Sequence, residues 1–324
     1  MDFERSDTQR ALLDALATLL NRHAGTGRCR ELAARGAYDH ALESELRAAG
    51  FLDLFGEAGA GPLEATLAVE QIGAELGAVT PVPHLLVLPA LGLPVPEGPV
   101  VLAGPSGSGG PAPVRYGGEA RHILTAGADR SADGRAGEPA DRCVAAELSP
   151  DDAEPVPSAY GFPLARVVPL RARDLAPGTS QTMINWWRVG VCAEALGMMQ
   201  RAFDLTVEYA KDRTVFGRAL GSFQALQHRL AELSVLVEGA RWLTYEAAFL
   251  GATAESSAVA AAHTMTALRR LTRETHQITG AVGLTREHDL HLWTLRLQAL
   301  RAELGGLRAH RRAVVTSRWE VMAA

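Results

Sequence analysis

Cysteine is scarce: Cys29, Cys143 and Cys192 lie far apart in 324 residues, with no CxxC and no Cys/His ligand spacing. That scarcity argues against a disulfide framework or a zinc site and leads us to expect a reducing, cytoplasmic setting. A basic excess is also lacking. The formal net charge is −5, so no general nucleic-acid-binding surface is expected. No run of about eighteen apolar residues occurs, so no membrane span is expected. The opening residues, Met1-Asp-Phe-Glu-Arg-Ser-Asp, are charged and lead into an amphipathic segment rather than an apolar signal. What remains is ordinary for a globular chain of two or three domains, with 47% hydrophobic and 21% charged residues.

The chain divides by composition. Residues 1–85 read as a helical domain. Ser6 or Asp7 caps a first helix with Leu12, Leu16, Leu19 and Leu20 on its face, Tyr38–Ala49 forms a second, and Gly61-Pro62 opens a third. Over 86–178 proline and glycine become frequent. Short apolar pieces such as Val100-Val-Leu, Arg121-His-Ile-Leu, Arg142-Cys-Val-Ala-Ala and Ala165-Arg-Val-Val-Pro-Leu predict a small β-domain. From 179 to 324 the pattern is helical again, and four long helices in succession imply an antiparallel bundle. The last of them carries Leu290, Trp293, Leu297, Leu300 and Leu304 at steps of three and four.

The most organised stretch runs from Arg188 to Leu250. Apolar residues at Val189, Cys192, Leu196, Met199, Phe203, Val207 and Ala210 give one helix, and Leu226, Leu230, Leu233, Val237 and Ala240 a second. Between them lies Arg213-Thr-Val-Phe-Gly-Arg-Ala-Leu-Gly-Ser-Phe-Gln224, a loop broken by Gly217 and Gly221. Arg213 alone is a helix-end cation and Gln224 alone a cap. Together with Phe216 they offer a cation, an aromatic platform and an amide, a set suited to a dinucleotide's pyrophosphate, ring and adenine edge. Gln277-Ile-Thr-Gly280 ends another helix with a free amide and approachable backbone, and reads equally as a plain C-terminal cap. His276 beside it reads as packed or capping. The run Gly104-Pro-Ser-Gly-Ser-Gly-Gly has no Lys-Ser/Thr after it and reads as a linker, with Ser106 and Ser108 outside any nucleophile elbow.

These pieces in this order resemble the C-terminal flavin-binding half of the acyl-CoA dehydrogenase family. The matching text is Ala193-Glu-Ala-Leu-Gly-Met-Met-Gln-Arg-Ala-Phe-Asp204, Glu208-Tyr-Ala-Lys-Asp-Arg213, Phe216-Gly217, Phe223-Gln224, His276-Gln277-Ile-Thr-Gly280 and Gly283-Leu-Thr-Arg-Glu287. The resemblance implies a mostly α, multidomain α+β fold: an N-terminal helical domain, a central β-domain and a C-terminal four-helix bundle. It also implies FAD bound across a subunit interface. Arg213 and Gln224 would reach a neighbouring subunit's FAD, Phe216 would pack on it, and Gln277, Ile278 and Gly280 would line its ADP portion. Arg188 falls where the family keeps an arginine near the CoA moiety. Ala281 replaces the second glycine of the usual pair.

Departures from the pattern are equally informative. The family reaction needs a carboxylate against the α-carbon of an acyl-CoA thioester. At one family location for that base the chain has Trp186-Trp187. At the other it has Glu303, one residue out of register, where a helix-surface glutamate is the expectation and a displaced base the rival. Glu194 reads as structural, and the cluster Arg308-Ala-His-Arg-Arg312 as a solvated face. With its reduced middle domain, the chain resembles the smaller subunit of actinobacterial heterotetrameric (α2β2) acyl-CoA dehydrogenases, which act on bulky, often steroid-derived thioesters with a fuller partner subunit. A self-sufficient homo-oligomer using Glu303 and a non-catalytic scaffold are the alternatives.

Overall fold

The computed structural model describes residues 5–104, 111–127, 143–169 and 171–319. Ser106 and Ser108 therefore lie outside the described residues. Helices come first: α1 (Asp7–His23), α2 (Thr26–Arg35), α3 (His40–Ala48) and α4 (Pro62–Ala74), then a π-helical turn at Pro83–Val87 that runs into α5 (Leu88–Ala90). Ser6 caps α1 in a reciprocal box: the Gln9 N–H donates to Ser6 Oγ at 3.1 Å and the Ser6 N–H to Gln9 Oε1 at 3.0 Å. Asp39 caps α3 by accepting the Leu42 N–H, and Pro62 stands in the first turn of α4, where no N–H is required. The helix α2 is one that apolar spacing did not announce. Its only apolar side chains larger than alanine are Cys29 and Leu32, the two residues it buries.

Seven short strands follow: β1 (Val100–Ala103), β2 (Val114–Arg115), β3 (His122–Ala126), β4 (Cys143–Glu147), β5 (Ala153–Val156), β6 (Leu164–Val167) and β7 (Arg173–Asp174). They form two sheets, ordered β1-β3-β4-β7 and β2-β6-β5, with β1 parallel to β3 and the other pairs antiparallel. Alternation along β3 sends Ile123 toward the second sheet, where it meets Val101, Val114, Ala146 and Val167. Leu124 and Ala126 join the large core shared with the helices.

The C-terminal region is α6 (Thr179–Asp212), a small hairpin of β8 (Thr214–Val215) and β9 (Arg218–Ala219), α7 (Gln224–Phe249), α8 (Ala254–Thr279), α9 (Leu290–Ala302) and α10 (Gly306–Trp319). The final helix expected from periodicity is thus two. Leu290, Trp293, Leu297 and Leu300 are buried as their spacing requires, but the helix stops at Ala302 and Leu304 sits at φ 52°. At the centre lies α6, packed against α4, α7, α8 and α9 and buried on nearly every side between Asn185 and Met199.

Close approach of α4 to α6 rests on glycines. A Cβ built on Gly197 would lie 1.9 Å from the Glu70 carbonyl oxygen and 2.6 Å from the Ala74 nitrogen, and one on Gly73 would lie 2.6 Å from the Glu194 carbonyl oxygen. These obstacles are backbone and cannot rotate away. Gly197→Ala is expected to destabilise the chain by about 3 kcal/mol, the upper end for overpacking, read as a shift of the urea midpoint. A change below about 0.5 kcal/mol, the size of a neutral surface substitution, would mean that the two helices do not cross this closely.

Candidate functional site

The hairpin after α6 is built by two left-handed residues. Val215 pairs with Arg218, and the two residues between them, Phe216 and Gly217, have φ of 51° and 77°, the requirement of a two-residue type I′ turn. Glycine meets it freely. A phenylalanine there costs of order 1–3 kcal/mol in backbone strain, and its ring is 96% exposed. Its neighbours are Phe223, edge-on at 6.4 Å, and Arg218, whose guanidinium stacks 4.0 Å over Phe223. Arg213 caps α6, is exposed, and has no ion pair among the described residues.

Gln224 opens α7 and is exposed. Gln277 is exposed in the last turn of α8, which Gly280 closes at φ 61°. Ile278, by contrast, has a buried side chain, 6% exposed. His276 is the packed histidine its position suggested, with Nε2 3.0 Å from Thr294 Oγ1. Tyr209, one turn before Arg213, meets His288 edge-on at 5.9 Å. The hairpin and the loop after Gly280 therefore share one end of the bundle.

A second centre lies at the other end. A cleft of about 620 Å³ opens between the β-domain and the bundle, lined by Val82, Leu102, Arg115, Trp187, Glu303 and Leu304 among others. Arg115 reaches it from β2 and is bidentate to Glu194 of α6, with Nη1 to Oε1 at 2.7 Å and Nη2 to Oε2 at 3.0 Å. Its Nε lies 2.7 Å from Glu303 Oε1, and the Trp187 indole N–H donates to Glu303 Oε2 at 2.7 Å. Glu303 is no helix-surface residue: its side chain is 16% exposed. The reason is the break after Ala302, where Leu304, Gly305 and Gly306 all take positive φ and turn Glu303 inward. Burial pushes its carboxyl up, against the pull of Arg115. Burial opposes the Arg115 charge as well, but the two carboxylates hold it protonated more firmly than an ordinary arginine. Glu194 is structural as expected, although it is buried rather than on a free face.

Arg188 does not line this cleft. Its Nη1 donates to Asn185 Oδ1 at 3.3 Å, its Nε is buried without a partner among the described residues, and its charge is felt at His310 of α10. Burial lowers its pKa.

Residues 178–317 match the family model described as "Acyl-CoA dehydrogenase, C-terminal domain". Among solved structures, a Tcur3481-Tcur3483 steroid ACAD variant superposes with TM-score 0.82 at 23% identity, covering 98% of this chain and 99% of that one. Residues 178–317 are an acyl-CoA dehydrogenase C-terminal domain, and the chain has the acyl-CoA dehydrogenase fold. Butyryl-CoA dehydrogenase from Megasphaera elsdenii shares that fold, with TM-score 0.78, 19% identity and coverage of 98% and 99%. So does a chain of the ChsE4-ChsE5 complex from Mycobacterium tuberculosis, with TM-score 0.76, 22% identity and coverage of 98% and 99%. In sequence, acyl-CoA dehydrogenase IpdE2 of Mycolicibacterium smegmatis is 38% identical over 142 residues, 44% of this chain and 45% of that protein. The matched part is thus under half the length of that curated relative. Members of this family are FAD flavoproteins. No helix among the described residues is long and apolar enough to cross a membrane.

Proposed function

We propose that this chain is one subunit of a heteromeric, α2β2-type acyl-CoA dehydrogenase, and that it completes a neighbouring subunit's FAD site rather than housing the chemistry itself. One observation carries the reading. Trp187 and Arg213 stand on the same helix, 26 residues apart, which at 1.5 Å per residue is about 39 Å. The hairpin therefore cannot serve the cleft of its own chain. Its strained, exposed Phe216 gains little within the chain and is positioned to gain from a second one.

The hairpin end fits an FAD. Arg213 is a free cation, and the amides of Gln224 and Gln277 make no side-chain hydrogen bond among the described residues. Arginine suits pyrophosphate, and amides suit the edge of an adenine. The chain's own cleft fits one poorly, because the indole N–H of Trp187 and three nitrogens of Arg115 are already committed to carboxylates. When bound, FAD accepts the hydride in α,β-dehydrogenation of a CoA thioester. This chain's part is to hold the pyrophosphate with Arg213, cover the cofactor with Phe216 and present the amides of Gln224 and Gln277. The steroid enzyme among its structural relatives supports a bulky, steroid-derived acyl group as substrate.

A second reading is favoured by one feature, the location of Glu303 in a cleft: a self-sufficient homo-oligomer with Glu303 as base. A single experiment separates the two. Co-purified with a partner subunit, the assembly should be yellow, and Arg213→Gln should weaken FAD about tenfold or more, while Glu303→Gln leaves turnover in place. A yellow, turning-over homo-oligomer that Glu303→Gln silences would establish the second reading instead. Full flavin content and activity after Arg213→Gln together with Gln224→Ala would leave only a scaffold role.

A further inference from the structure

Arg188 is a cation without a counter-ion among the described residues. It stands one residue past Trp187 on α6, about 100° further round the helix, and meets α8 and α10 rather than the cleft. Its Nη1 donates to Asn185 Oδ1 at 3.3 Å. That oxygen already accepts from Gln181 Nε2 at 2.7 Å and from Ser257 Oγ at 3.3 Å. A neutral amide oxygen shared three ways does not neutralise a guanidinium.

The helices that meet here supply no negative charge. The stretch of α6 from Thr179 to Ala193, that of α8 from Ser256 to Arg273, and the whole of α10 contain no aspartate or glutamate. Glu194, further along α6, is bidentate to Arg115, and Glu255 at the start of α8 is paired with Arg318. The Cys192 thiol adjoins Arg188 one turn on, but burial pushes it up to about 12 and it stays neutral. Arg308, Arg311 and Arg312 of α10 add only positive charge.

Two buried side chains share this cluster. His310 of α10 is 1% exposed, and neither ring nitrogen has a hydrogen-bond partner among the described residues. Thr264 of α8, beside Cys192, is fully buried, and its Oγ1 also lacks a hydrogen-bond partner among them. The Nε–H of Arg188, the N–H of a neutral imidazole and the threonine O–H are all donors. Water would satisfy these donors and leave the charge uncompensated. A small anion satisfies both. Arg188 is only half-buried, so an ion can reach it from solvent.

We propose that Arg188, His310 and Thr264 form a binding site for a small monovalent anion, of the chloride type, between α6, α8 and α10. The ion supplies the missing counter-charge and ties α10 to the centre of the bundle. A doubly charged anion such as sulfate is excluded, because stripping it of water costs far more. In sulfate alone nothing shields His310 from Arg188, and the ring stays as neutral as burial makes it.

The test uses the full chain in its native assembly at pH 8, with chloride as the probe and the line width of its chloride-35 NMR signal as the readout. The parent should broaden the line saturably. Bromide should compete, and sulfate at equal ionic strength should compete at least about tenfold less well. Arg188→Met should abolish the broadening, and His310→Phe and Thr264→Val should each weaken chloride about three- to tenfold. Arg311→Gln removes the same charge from the exposed side of α10 and should change nothing. Should Arg188→Met fail to fold, as judged by circular dichroism, the His310 and Thr264 variants carry the test. No saturable broadening by the parent, which would leave water as the partner of these donors, overturns the proposal. So does broadening that all three site variants retain, an equal loss in Arg311→Gln, or equal competition by sulfate. Flavin content is not read, so failure here and failure of the interface reading remain distinguishable.

Discussion

Arg115→Met should cost the folded chain about 3–5 kcal/mol, the range for removing one partner of a buried ion pair. The substitution keeps the length of the side chain but leaves Glu194 and Glu303 facing each other in a site where neither reaches water freely. The Glu303 carboxyl, already pushed up by burial, would then lose the opposing pull of Arg115 and rise further. The sign of the pH dependence follows. At pH 8 its buried charge is present and the deficit is full; as pH falls, protonation of Glu303 in the folded state removes that charge and the deficit shrinks. Urea midpoints of the variant and the parent at pH 8 and pH 5 make the comparison. A combined Arg115→Met, Glu194→Leu, Glu303→Gln chain should recover most of the loss, because apolar or neutral replacement of a whole buried ionic group is often close to neutral. A deficit below about 1 kcal/mol, typical of an exposed pair, or one that is equal at both pH values, would show that the network is solvated and does not join the β-domain to the bundle.

In that network the sequence carries little signal. The α6–α7 pair was legible because its apolar residues recur every three or four positions up to a glycine-broken loop, and each of Val189, Cys192, Leu196 and Met199 is buried where the pattern put it. Arg115 carried no such signal. It is one arginine in a proline- and glycine-rich stretch, on a strand of two residues, and its partner Glu194 lies 79 positions away. Glu194 could have raised the question, since an acid set among alanine, leucine and methionine on a helix buried all round requires a buried partner. The three–four spacing that runs through Leu304 puts Glu303 on a helix surface. The Gly305-Gly306 pair directly after it was the contrary sign, and in the structure those residues and Leu304 form the left-handed turn that brings Glu303 into the cleft. The hairpin residues stand out in the sequence as a set, by their chemistry and by the family resemblance. Only the length of α6 shows that they and the cleft occupy opposite ends of one chain.

Stability should fall steeply as pH drops from about 6.5 to about 4. Two histidines cause this, His84 and His310, each 1% exposed. Burial pushes both down to about 4. For His310 the Arg188 charge adds to the effect, and both ring nitrogens are buried without partners among the described residues. For His84 the Glu43 carboxylate pulls the other way while Arg47 and His122 repel, and Nε2 lies 3.1 Å from the Gly98 carbonyl oxygen, to which a neutral ring donates. A depressed histidine is neutral in the folded chain but protonates at its ordinary value when unfolded. Its contribution is therefore complete above about 6.5 and disappears as pH falls through that window, at about 3 kcal/mol for each ring. Glu43 acts lower still. Burial works against its charge, but hydrogen bonds from Tyr38, the Gly98 N–H and Arg47 hold it below the usual carboxylate range. Urea denaturation from pH 7 to pH 4 measures the slope. His310→Phe, which cannot protonate, should lose about 3 kcal/mol less over that interval than the parent chain. An unchanged slope in that variant would mean that water or a counter-ion already reaches the His310 ring between α10 and Arg188.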